Sequence, residues 1–119
     1  DSCTLTPRVA TIDVAQLHGL LEARAAGAAT FTLLDVREDD EWAINRIDGA
    51  HHIPLGEVLA SPASALAQLD PAPVFVYCLA GVRSMRAAEA IAEAGVTAVS
   101  VDGGIRAWWS HIDPTMPRY

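Results

Sequence analysis

The sequence predicts an α/β domain built on a mostly parallel central sheet with helices on both faces, and two observations carry that expectation. Short β-prone apolar runs near residues 32–36, 74–78 and 98–101 alternate with segments of helical spacing, the pattern of strand–helix–strand units. The run Val74-Phe75-Val76-Tyr77-Cys78 is apolar throughout rather than alternating, as a central strand covered on both faces must be. The 119 residues suit a single domain, 1–119, that buries its own core without disulfide or metal staples.

In order along the chain, an irregular start containing Pro7 leads to Asp13, which with Gln16 has the spacing of a reciprocal helix cap. Val14, Leu17, Leu20 and Leu21 then recur at helical spacing, and Gly27 ends that helix. Thr32 to Val36 reads as a buried strand, Glu38 to Asn45 as an acidic helix, and Ala50 to Ile53 as a short strand stopped by Pro54. One or two short helices interrupted at Pro62 are expected over 56–69. After the 74–78 strand come a loop over 79–82 and an alanine-rich helix over 84–94. That helix should turn Met85, Ala88, Ile91 and Ala92 inward and end at Gly95. Ala98 to Val101 is a further strand, and Gly103-Gly104 turns the chain into a last helix carrying Trp108 and Trp109, which are expected to pack in the core.

Composition excludes several function classes. Hydrophobic residues make up 51% and charged residues 19%, which argues against disorder, and no apolar run approaches the roughly 20 residues that cross a bilayer. Fifteen acidic against eight basic side chains give a net charge of −7, and every basic one is arginine. Such a surface repels phosphate backbones and anionic lipids, so neither a nucleic acid nor a membrane is expected as a partner. Two cysteines, Cys3 and Cys78, make no disulfide framework and point to a reducing, cytoplasmic setting. The chain begins at Asp1 rather than Met, as a cut fragment or processed chain does.

Cys78 falls where open parallel sheets place their reactive groups, beyond the carboxyl end of a strand and just before a helix N-terminus. Gly81 permits tight curvature, so the backbone N–H groups of the loop Leu79-Ala80-Gly81-Val82-Arg83-Ser84 are able to converge on the sulfur as an anion cradle. Helix-end charge and Arg83 with Arg86 favour thiolate over thiol, as nucleophilic cysteine chemistry requires. An arginine in the first turn of a helix opposes the helix dipole at a cost of about 0.3–1 kcal/mol, which makes sense if an anion is held there. The alternative is an inert, buried cysteine at a strand end.

Several blocks, in order, resemble the rhodanese family of sulfurtransferases from about Ile12 to Trp108. They are Leu34-Asp35-Val36-Arg37 with Glu41-Trp42, Ile47-Asp48-Gly49-Ala50 with Ile53-Pro54, Val76 through Ser84, and Gly103-Gly104-Ile105 with Trp108. The resemblance implies a rhodanese-like fold in which Cys78 carries a persulfide and residues Leu79, Ala80, Gly81, Val82 and Arg83 cradle it, with a hydroxyl hydrogen bond from Ser84. No cofactor is then needed beyond the covalent persulfide, and the donor is a sulfane-sulfur compound, thiosulfate or a protein persulfide. Arg46 and Asp48 depart from the histidine and proline often found there in the family, which bears on loop shape alone. Asp35 and Arg37 are expected to act as structural support, an ion pair near the carboxyl edge of the sheet. The tail from Ile112 to Tyr119 is similar to the end of rhodanese domains fused behind adenylyltransferases, which implies a sulfur-carrier protein as acceptor and molybdenum-cofactor synthesis among the processes served.

Two rivals stand beside this expectation. Cysteine phosphatases and arsenate reductases place one residue more between cysteine and arginine than the four present here, Leu79 to Val82, and a shorter ring encloses a smaller anion. A non-catalytic docking module is the other, although such relatives usually lack the cysteine. No metal site is expected: His51 and His52 are adjacent strand residues that face opposite ways. Cys3 is expected to be a free cysteine rather than a resolving thiol, and the acidic group Glu38, Asp39, Asp40 and Glu41 a solvated first helical turn.

Overall fold

A computed structural model describes residues 9–69 and 73–117. The elements follow in the order β1 (Ala10–Ile12), α1 (Val14–Ala25), β2 (Thr32–Asp35), α2 (Asp39–Ile44), β3 (His51–His52), α3 (Leu55–Ala60), α4 (Pro62–Leu66), β4 (Val74–Tyr77), α5 (Val82–Glu93), β5 (Ala98–Val101) and α6 (Gly104–His111). The strands form one sheet in the order β1-β5-β4-β2-β3, and every pairing is parallel. β4 is thus the central strand, and its four residues are all buried.

Strand alternation sorts the core into two layers. Val74, Val76 and Cys78 point to the side covered by α3, α4 and α5, where they meet Leu34, Val58, Ala88 and Ile91. Phe75 and Tyr77 point to the side covered by α1 and α6, against Leu17, Leu33, Ile105, Trp108 and Trp109. Fully burying a side chain of this kind stabilises by about 1.5–3 kcal/mol, so these two layers are the main source of the fold's stability.

The structure changes the sequence expectation at β1 and α5 and sharpens it at α1 and Pro62. Just before Asp13, within the stretch expected to be irregular, three residues form β1 and pair along one edge, Ala10 opposite Val99 and Ile12 opposite Val101. α5 begins two residues early and buries Ser84 and Ala87 beside Ala88 and Ile91, leaving Met85 and Ala92 half-buried. On α1 the fully buried residues are Val14 and Leu17, with Leu20 and Leu21 at the rim. Pro62 opens α4 instead of merely interrupting a helix, because Ser61 accepts the Ser64 N–H and proline at the first position lacks only an N–H that would be unpaired anyway.

Candidate active site

Cys78 directly follows β4 at the carboxyl edge, and its residue is only 1% exposed. The chain then turns sharply, with Gly81 at φ 121°, a conformation side chains rarely adopt, and enters α5 at Val82. The turn is fixed from the other side by α6, whose first free N–H groups donate to it: Ile105 N–H to the Cys78 carbonyl at 2.9 Å and Arg106 N–H to the Leu79 carbonyl at 3.0 Å. Gly104 makes that approach feasible. A Cβ there would collide with the Cys78 carbonyl oxygen and lie 2.5 Å from that of Leu79. The glycine pair seen in the sequence therefore shapes the cysteine loop as well as starting the last helix.

The sulfur accepts the Gly81 N–H at 3.1 Å, and Ser84 Oγ lies 3.5 Å from it. Burial pushes the thiol pKa up. Hydrogen bonds from the Ser84 hydroxyl and from the backbone N–H groups of Ser84, Gly81 and Ala80 outweigh that, and the net direction is down. Thiolate is the nucleophilic form of cysteine. Ser84 Oγ is fully buried and also meets the Gly81 carbonyl at 3.2 Å and Ser100 Oγ at 2.9 Å. When the thiol ionises, the Ser84 proton can turn from the Gly81 carbonyl to the sulfur while Ser100 donates to Ser84. Ser100 escaped the sequence reading. Its one signal there was a hydroxyl at an inward position of an otherwise apolar strand.

Arg83 meets an anion, and that anion belongs to the protein. Its two terminal nitrogens grip the Glu41 carboxylate at 2.6 and 3.0 Å, a two-point ion pair between α5 and α2. Glu41 also accepts the Glu38 N–H at 2.9 Å, as a capping box does. The acidic turn is therefore not uniformly solvated: Glu38, Asp39 and Asp40 are exposed, whereas Glu41 is half-buried by this contact.

Asp35 and Arg37 lie at the end of β2, beside β4, with side chains 0% exposed. Arg37 donates from Nε to both Asp35 oxygens at 3.0 Å, and from its terminal nitrogens to Asp35 Oδ2 at 2.7 Å, Asn45 Oδ1 at 2.8 Å and the Asn45 carbonyl at 2.7 Å. Asn45 in turn donates to the Pro117 carbonyl at 2.6 Å, tying the tail to this edge. Burial first, and then the Asp35 charge, keep Tyr77 in its neutral phenol form, and its oxygen accepts the Ile47 N–H at 3.1 Å. His52 stacks on Trp42 at 4.8 Å and contacts the Arg37 carbonyl, while His51 is exposed on the other side of its short strand.

The structure thus brings Cys78, Ala80, Gly81 and Ser84 together around the sulfur. Leu79 packs its side chain toward the α1 and α6 layer, and Val82 turns outward at 75% exposure. Cys3 and the last two tail residues, Arg118 and Tyr119, lie outside the described residues. A cavity of about 720 Å³ between α1, α6 and the 46–49 loop shares no residue with the cysteine loop.

Comparison with known proteins agrees with this geometry. The family described as "Rhodanese-like domain" matches residues 13–111. A Mycobacterium tuberculosis protein named "Probable adenylyltransferase/sulfurtransferase MoeZ" is 34% identical over 96% of this chain and 34% of its own length. An "Adenylyltransferase and sulfurtransferase uba4" of Pyricularia oryzae is 30% identical over 89% of this chain and 26% of its own. The chain therefore spans about a third or less of the length of these two relatives. Among solved structures, the human single-domain sulfurtransferase TSTD1 is similar with a TM-score of 0.69 and 28% identity, covering 87% of this chain and 98% of that one. A parallel five-stranded sheet with the cysteine loop at its carboxyl edge, together with a match over nearly the whole described chain, establishes that this chain belongs to the rhodanese-like domain family.

Proposed function

We propose that this domain is a sulfurtransferase that carries sulfane sulfur as a persulfide on Cys78. The observation that carries the reading is the buried sulfur ringed by N–H donors from Ala80, Gly81 and Ser84 and by the Ser84 hydroxyl. Such a ring stabilises a small sulfur anion, whether the thiolate before reaction or the persulfide after it. With thiosulfate as donor, the Cys78 thiolate attacks the outer sulfur, the new S–S bond forms, and the old one breaks with its electron pair leaving as sulfite. The persulfide then gives its terminal sulfur to a nucleophile, and the thiolate returns. No dissociable cofactor enters this cycle.

The acceptor we favour is the activated C-terminus of a sulfur-carrier protein, because two relatives combine adenylyltransferase and sulfurtransferase in their names. An adenylyltransferase, fused or separate, would supply that activation, and molybdenum-cofactor synthesis is one process that such a carrier serves. We place this chemistry in a reducing compartment such as the cytoplasm, where a cysteine thiol is kept free of disulfides.

The test is direct. Incubation with thiosulfate should add the mass of one sulfur atom at Cys78, removable by cyanide as thiocyanate, and Cys78→Ser should abolish both the adduct and the transfer. Aryl phosphates should turn over negligibly. Phosphate hydrolysis faster than sulfur transfer would replace this reading with the phosphatase one.

A further inference from the structure

We infer that Glu41 is a specificity latch on Arg83, setting how well this site accepts small anionic donors; the inference rests on the sulfurtransferase reading above. Arg83 stands in the first turn of α5, five residues after the cysteine, where a positive charge opposes the helix dipole unless an anion compensates it. The fork of two terminal nitrogens that suits two oxygens of an anionic donor is occupied by both oxygens of Glu41, at 2.6 and 3.0 Å. The pair is sheltered, with side chains 30% and 15% exposed, so solvent screens it less than an open surface pair. Glu41 is also fixed from its own side by the Glu38 N–H. An anion such as thiosulfate must therefore either do without the fork or displace a pre-organised carboxylate, and both weaken its binding. A donor recognised through a larger protein surface loses much less, because its affinity does not depend on this one cation. The latch thus disfavours free inorganic donors relative to a protein-borne persulfide.

Glu41→Gln removes the charge while keeping the side-chain shape and an oxygen able to accept the Glu38 N–H, so α2 retains its cap. The expected result is a KM for thiosulfate about three- to tenfold lower than in the unaltered protein, with kcat little changed. Sulfate, an inert anion, should protect Cys78 from iodoacetamide at a concentration lower by a similar factor. In an Arg83→Ala background, Glu41→Gln should have no further effect on either quantity. Asp39→Asn, which removes an equal charge from the same helix at an exposed position, should change both far less than Glu41→Gln does. An unchanged or raised KM in a Glu41→Gln protein that still transfers sulfur overturns the latch alone. So does an effect that persists without Arg83 or is reproduced by Asp39→Asn. If no protein in the series transfers sulfur or forms the Cys78 adduct, the sulfurtransferase reading falls, and the sulfate-protection series still decides whether Glu41 restrains anion binding through Arg83.

Discussion

Replacing Asp35 by Asn should unfold this domain well before it harms the chemistry at Cys78. Both partners of the Asp35–Arg37 pair are 0% exposed, and the carboxylate is the counter-charge of a guanidinium that cannot lose its proton. Asparagine keeps the shape, but its amide places a donor where an oxygen had accepted from Nε or from the terminal nitrogen 2.7 Å away. Breaking a buried pair by removing one partner costs about 3–5 kcal/mol, because the remaining charge is left uncompensated. The Asn45 oxygens still hold the outer guanidinium, which places the expected loss at the lower end, about 3 kcal/mol. A domain of this size has an unfolding entropy of about 0.25 kcal/mol/K, so the midpoint should fall by about 12 °C.

Thermal unfolding followed by circular dichroism, with urea titration at neutral pH, measures the loss. Arg37→Met should cost a comparable amount by orphaning Asp35, and the double variant Asp35→Leu/Arg37→Met should cost clearly less than the two singles added together. It should not recover fully, since the buried Asn45 oxygens lose their donor. Sulfur transfer per folded molecule should stay close to that of the unaltered protein. A midpoint shift under about 4 °C would refute the stability argument, and a folded Asp35→Asn protein devoid of transfer would move Asp35 from scaffold to chemistry.

Two further outcomes follow from the cysteine loop. The rate of Cys78 alkylation should rise with pH around a midpoint below the ordinary thiol value of about 8.5, and Ser84→Ala should slow alkylation at neutral pH by about tenfold, the worth of one hydrogen bond to a charged group. Because the folded-state pKa is lowered, ionised Cys78 stabilises the fold most above the unfolded thiol value, and that contribution fades as pH falls through the folded one. Comparing urea stability with Cys78→Ser across pH reads this sign, and a stability gain on acidification relative to that variant would contradict it. Gly104→Ala should cost about 2 kcal/mol or more, because a Cβ would press into the Leu79 carbonyl at 2.5 Å, and it should lower sulfur transfer in molecules that remain folded. Unchanged transfer in folded Gly104→Ala would separate α6 from the shape of the loop.

The parts of this fold that sequence shows are those with local causes. β4 announces itself because five successive apolar residues have no use outside a two-sided core, and Cys78 inherits its place from that strand's end. The Asp13–Gln16 cap is equally local, three residues apart and realised at 2.8 Å and 2.9 Å. β1 fails the same criterion: three residues with no apolar period become a strand only because β5, far along the chain, offers an open edge. The site divides in the same way. A backbone ring around Cys78 is implied by a cysteine, a glycine and a helix start within a few residues, whereas the Glu41–Arg83 pair spans 42 positions and Ser84–Ser100 spans 16 across two elements. Sequence did carry the charge conflict at Arg83, a cation at the positive end of a helix. What it withheld was the identity of the compensating anion, and the fold supplies Glu41 because α2 follows β2, which lies next to β4 in the sheet. A local electrostatic conflict in a sequence is therefore evidence that a partner exists, and only the topology decides whether that partner is a substrate or another part of the same chain.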